Sequence, residues 1–134
     1  MIKGISHISL SSKNLKKVID FYVKFLGFKV AQKFINKNNQ LYGVFIYCGN
    51  KTFIEFFKSK EKFDIKKSKF RHLCFEVKNF SQFLKKIKKK FKNVRVNRGK
   101  TDNILQFFIK DFEGNIIEFH YHDNKSKLKK FLKK

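Results

Sequence analysis

Apolar and polar residues alternate through Phe70 to Val77, read FRHLCFEV, so a strand here places Arg71, Leu73, Phe75 and Val77 on one face and Phe70, His72, Cys74 and Glu76 on the other. Three more stretches repeat the arrangement. In ISHISL, Ile8 and Leu10 alternate against His7 and Ser9, and in TFIEFF, Ile54 and Phe56 alternate against Phe53, Glu55 and Phe57. In NIIEFHYH, Ile117, Phe119 and Tyr121 alternate against Ile116, Glu118, His120 and His122. Four strands therefore each point a His or a Glu away from their aliphatic face.

Between these strands the period lengthens. After a first strand over Gly4 to Leu10, Asn14 stands as a helix N-cap, and Leu15, Val18, Ile19, Tyr22, Phe25 and Leu26 recur at helical spacing up to a capping Gly27. Phe28 to Ile35, Leu41 to Cys48 and Lys51 to Phe57 read as strands, the last two joined by a Gly49-Asn50 turn. Residues 58–69 are charged, lack periodicity and read as a linker. The order then recurs. The strand around His72 leads to the cap Asn79, with Gln82 at capping-box spacing, and to Phe80, Phe83, Leu84, Ile87 and Phe91 on one helix face. Val94 and Val96, Ile104 to Ile109 and Asn115 to Tyr121 supply three more strands, with Asp111 to Gly114 as the hairpin turn. Leu128, Phe131 and Leu132 predict a short docking helix at the end.

His7 and His72 lie 65 positions apart, as do the caps Asn14 and Asn79, and Glu55 and Glu118 lie 63 apart. The prediction is a single α+β domain over 1–134 made of two βαβββ modules, 1–57 and 70–122, with the linker 58–69 between them and the C-terminal helix in 123–134. The modules are expected to form a curved, cup-shaped mixed sheet with the helices on the outside.

A chain of 134 residues suits one domain, and 19 Phe among 42% apolar residues are ample for its core. No apolar run is long enough to span a membrane, and Met1 to Gly4 leads straight into a strand, so a cytoplasmic protein without a signal peptide is expected. Cys48 and Cys74 are too few for a disulfide framework and are expected to be reduced, buried thiols; Cys74 shares the face of His72. The net charge of +23 invites a nucleic-acid reading. Against it, the lysines are spread along nearly every polar stretch and arginine occurs only at Arg71, Arg95 and Arg98, so coding bias toward AT-rich codons is the better account.

Taken singly, a strand histidine or glutamate is an ordinary rim residue. If the inner faces meet, however, His7, Glu55, His72 and Glu118 bring two imidazoles and two carboxylates into a partly desolvated cup, at a cost of several kcal/mol unless they pair or bind a cation. Two neutral nitrogens and two anionic oxygens neutralise a divalent ion and suit zinc, nickel, cobalt, iron or manganese, with positions left for water or a small-molecule substrate.

The HISL opening, FYVKFLGF, FIEFF, FRHLCFEV and DFEGNIIEF together resemble the vicinal oxygen chelate superfamily of glyoxalases, bleomycin-resistance proteins and extradiol dioxygenases. The similarity covers residues 2 to 122 and is nearest to small bacterial lactoylglutathione lyase-like proteins. Phe112 replaces the proline of the family's usual D-P-x-G-N-x-I-E ending. The resemblance implies metal ligands at His7, Glu55, His72 and Glu118, with zinc or nickel favoured. Glu55 argues against the two-His-one-Glu set of extradiol dioxygenases and fosfomycin-resistance enzymes and toward the glyoxalase I pattern, close also to the epimerases. By the same resemblance, Glu118 is the principal base and Glu55 serves the opposite face, isomerising a hydroxy-ketone or a hemithioacetal of glutathione or another thiol through an enediolate. Pairing into a homodimer is a family habit. The alternative is a non-catalytic, bleomycin-resistance-like small-molecule-binding protein, or another superfamily activity such as an epimerase or dioxygenase. His120 lies on the face of Glu118, two residues on.

Overall fold

The computed structural model describes all residues except 62, 63, 65, 66, 133 and 134, so parts of the expected linker and of the C-terminal helix lie outside the described residues. The chain divides into two compact units, Met1–Phe63 and Asp64–Lys134. The architecture is α+β, with one four-stranded mixed sheet in each unit.

In the first unit the strands β1 (His7–Ser12), β2 (Lys29–Ile35), β3 (Leu41–Gly49) and β4 (Thr52–Lys58) lie in the order β1-β4-β3-β2. β1 runs parallel to β4, while β4, β3 and β2 are joined by antiparallel pairings. Val44, Ile46, Ile54 and Phe56 point to one side and are buried there with Val18 and Tyr22 of the helical segment; the Tyr22 and Phe56 rings lie 5.0 Å apart. The segment begins as α1 (Leu15–Val18), whose N-cap Asn14 accepts from the Lys17 amide at 3.0 Å. It continues over Ile19–Phe25 as a π-helix, and the Leu26 amide reaches back five residues to the Phe21 carbonyl. Apolar spacing alone predicts an α-helix here; the wider pitch instead buries Phe21 beside Tyr22 and leaves Ile19 and Phe25 half-buried. Gly27 ends it at φ +95°, a conformation glycine adopts without penalty.

The second unit repeats the plan. β5 (Leu73–Glu76), β6 (Asn97–Arg98), β7 (Leu105–Lys110) and β8 (Ile116–Tyr121) lie in the order β5-β8-β7-β6, with β5 parallel to β8. Phe80 and Phe83 of α2 (Phe80–Lys90) pack on Phe107 and Phe119, the Phe83–Phe119 centroids being 4.8 Å apart. Asn79 caps α2 by accepting from the Gln82 amide at 3.2 Å. The β7–β8 turn is held by Asp111, whose Oδ1 accepts from the amides of Glu113 and Asn115, both at 2.9 Å, with Gly114 at φ +89°. Asp111 Oδ2 also accepts from the Asn115 side-chain amide at 2.9 Å, so the turn is closed with Phe112 at the surface.

Four expectations are corrected. The first strand starts at His7 and not Gly4, and the strand around His72 shortens to four residues, leaving His72 at its threshold. The strand expected at Val94 and Val96 becomes the two-residue β6, because Arg98 is drawn to Asp123 and fixes pairing further along. The last helix, α3 (Lys129–Leu132), is one turn long, and Leu128, Phe131 and Leu132 are exposed, so within the described residues it is not docked.

Phe56 is fully buried. Phe56→Ala should therefore cost roughly 3–5 kcal/mol through lost burial and the cavity left behind, read as a lowered urea midpoint. The Arg98 guanidinium, hydrogen-bonding to Asp123, holds that carboxyl down to about 2 from an ordinary 3.8. Because the folded value is the lower one, the stabilisation is complete above about pH 4 and is lost as the pH falls through about 2. Carboxyl-carbon NMR should find that midpoint, and Asp123→Asn should remove this acid-dependent step from the stability profile.

Candidate functional site

In each unit the helix covers one face of the sheet, and period-two alternation sends the His and Glu residues to the other. Register then sets their spacing. Glu55 pairs with Ser9 across the parallel β1–β4 ladder and Glu118 pairs with Cys74 across β5–β8. His7 and His72 each stand two residues before that partner, on the same face. The result is a His–Glu pair in each unit: His7 Nε2 lies 4.0 Å from Glu55 Oε2, and His72 Nε2 lies 2.9 Å from Glu118 Oε2.

The two pairs sit in different surroundings. Around the first are rings: His7 lies 5.4 Å from Phe45, which packs at 5.3 Å on Phe53, and Phe34 stacks on Phe57. Gly43 makes room for that stack, since a Cβ there would lie 2.5 Å from Phe34. Around the second are donor atoms. Glu118 is 8% exposed, and His120 Nδ1 lies 3.8 Å from its Oε1 and 3.3 Å from Cys74 Sγ. Burial, and then the neighbouring His122, push the His120 pKa below its ordinary value. Desolvation, followed by the Glu118 carboxylate, pushes the Cys74 thiol up to about 12. Cys74 is exposed as a residue, which corrects the expectation of a buried one, but its sulfur lies against the carboxylate face. Cys48, also free and half-buried, is raised to about 12 by desolvation alone among its raising causes.

Glu118 fits a cation ligand by the chemistry of its neighbours. Among the described residues its ion-pair partners are imidazoles, not lysine or arginine, so its charge is not already neutralised by a permanent cation. Groups of three side chains whose ligand atoms lie within 4.8 Å of one another are Cys74, Glu118 and His120, and Glu76, His120 and His122. Alternation along β8 signals that His120 and His122 share the face of Glu118. The part of Glu76 was missed, because only the parallel register brings it opposite His120.

Beside His72 the second unit opens into a cavity of about 820 Å³ lined by Phe91, Val94 and Phe108, with Arg71, Lys92 and Lys110 as its cations. The structure thus separates the three arginines, which the sequence could not. Arg98 is engaged by Asp123, Arg95 is exposed, and Arg71 lines this cavity. Among the described residues no helix is long and apolar enough to cross a membrane.

No curated protein matches the chain. Solved structures do: a glyoxalase family protein from Enterococcus faecalis is 22% identical with a TM-score of 0.69, over 88% of this chain and 97% of that one. A glyoxalase/bleomycin resistance protein/dioxygenase from Alicyclobacillus acidocaldarius is 20% identical, TM-score 0.61, over 91% and 93% of the two chains. The genomically encoded fosfomycin resistance protein FosX from Listeria monocytogenes is 16% identical, TM-score 0.68, over 93% and 98%. At these identities the likeness shows the fold, while the sequence profile of the Glyoxalase/Bleomycin resistance protein/Dioxygenase superfamily matches residues 4–119. The chain belongs to that superfamily.

Proposed function

We propose that the protein is a metal-dependent lyase or isomerase of glyoxalase I type, in which His7, Glu55, His72 and Glu118 together hold one divalent cation, zinc or nickel before cobalt, manganese or iron. The observation that carries this reading is the same His–Glu pair at the same register offset in both units. Each pair alone offers two ligands, and two such pairs offer the four that a neutral site for a divalent ion needs. When bound, the cation supplies Lewis acidity toward adjacent substrate oxygens.

Glu118 takes the C–H proton next to the substrate carbonyl and returns it to the neighbouring carbon, completing a 1,2-isomerisation of a hydroxy-ketone or thiol hemithioacetal through an enediolate. Glu55 does the same for the opposite face. His72, 2.9 Å from Glu118, orients the carboxylate. The cavity beside His72 suits a small molecule whose apolar part meets Phe91 and Phe108 and whose anionic groups meet Arg71, Lys92 or Lys110, as a glutathione or other thiol adduct would. A cytoplasmic homodimer belongs to the same reading.

The aromatic face of the first unit favours a second reading, a binding protein that stacks a planar ligand on Phe34, Phe45, Phe53 and Phe57 without turnover. Metal analysis separates the two. Tag-free protein loaded with nickel or zinc should lose one equivalent in His72→Ala. Glu118→Gln should slow solvent-deuterium incorporation into a hydroxy-ketone product by about a hundredfold or more. A wild-type protein that takes up neither ion would overturn the lyase and leave the binding protein.

A further inference from the structure

Beyond the four residues proposed above, two more imidazoles stand at the end of β8, His120 within the strand and His122 just past it. His120 and His122 lie two residues apart with ring centroids 4.6 Å from each other, and Glu76 of β5 is the register partner of His120. One ligand atom from each of the three lies within 4.8 Å of the others. We propose that Glu76, His120 and His122 form a second transition-metal site, with two imidazoles and one carboxylate as ligands and open positions for water or a small anion.

Three features support it. Ligand atoms around a bound zinc or copper ion stand about 3–3.5 Å apart, given metal–nitrogen distances near 2.0–2.1 Å. Closing from 4.8 Å to that range takes a side-chain rotation, and Glu76 is exposed and able to make it. His122 is held from behind, its Nδ1 lying 2.8 Å from the hydroxyl of Ser126, a residue only 7% exposed. With Nδ1 engaged by this hydroxyl, the ring is oriented with Nε2 on its other side, the kind of support that ligating histidines ordinarily have. Ser126 is in turn positioned by its amide, which donates a hydrogen bond to the Asp123 carbonyl, and Asp123 is clamped by Arg98. The ring is thus set before an ion arrives. Imidazole and carboxylate donors suit copper, nickel and zinc above manganese or magnesium.

The site is separable from the four-residue one because Glu76 and His122 belong to this cluster alone. Zinc equilibrium dialysis on tag-free protein, with folding checked by circular dichroism, should find two equivalents in the wild type and one in His7→Ala/His72→Ala. Adding Glu76→Ala or His122→Ala to that double variant should weaken the remaining ion at least tenfold, and Ser126→Ala, which only releases the ring, by roughly tenfold. A double variant that binds no zinc, or one whose zinc is indifferent to both Glu76→Ala and His122→Ala, would overturn the proposal. A wild type holding a single zinc that His122→Ala removes and His7→Ala/His72→Ala does not would uphold this site and sink the four-residue one.

Discussion

The parallel pairing of the first strand with the fourth in each unit is the constraint from which the rest follows. Parallel neighbours cannot be joined by a tight turn, so the chain must spend a helix and two further strands between β1 and β4, and again between β5 and β8. The helix takes one face of the sheet and closes the core with Val18, Tyr22 and Phe56 in one unit and Phe80, Phe107 and Phe119 in the other. The opposite face is thereby released from packing and can carry titratable groups. A slip of one residue in either parallel ladder would turn Glu55 or Glu118 into the helix side, where a carboxylate has no partner, so the apolar core enforces the chemistry's register.

The same frame is used differently twice. Ser9 and Phe57 flank Glu55 at the positions that Cys74 and His120 take around Glu118. With Phe34, Phe45 and Phe53 nearby, the first unit surrounds its carboxylate with rings, and its His–Glu pair stays open at 4.0 Å. The second unit draws its pair to 2.9 Å and adds a sulfur and a further imidazole. Rings exclude water and recognise flat, apolar groups, whereas clustered donors hold cations and move protons. One topology thus carries two different side-chain surroundings for the same His–Glu pair.

Much of this was legible in the sequence because period-two alternation is a direct consequence of the pleat. It showed which face of each strand bore His7, Glu55, His72 and Glu118, and the 65-residue spacing showed that the pattern was repeated. Pairing partners were not legible, since nothing in FRHLCFEV states that Cys74 will face Glu118 or that Glu76 will face His120; those follow from ladder register. The π-helical widening over Ile19–Phe25 escaped because it is set by backbone hydrogen bonds, and it buries Phe21, which α-helical spacing leaves off the stripe. At β6, Val94 and Val96 promised a strand, but the Arg98–Asp123 pair fixed the pairing two residues later. Long-range ion pairs leave no periodic trace.

Charge supplies the last step. With 33 Lys and Arg against 10 Asp and Glu, several carboxylates in this chain pair with a permanent cation, as Asp20 does with Lys24, Asp64 with Lys67 and Asp123 with Arg98. Glu55 and Glu118 differ from these, since their ion-pair partners among the described residues are imidazoles. The difference is functional, because an ammonium would occupy the oxygen lone pairs and hold the carboxylate as a spent ion, while a neutral imidazole leaves them available and can itself donate to a metal. Lys92 and Lys110 line the cavity beside His72, while the ion pairs of Glu118 are made to His72 and His120. Within a strongly basic chain, both carboxylates thus keep imidazole partners.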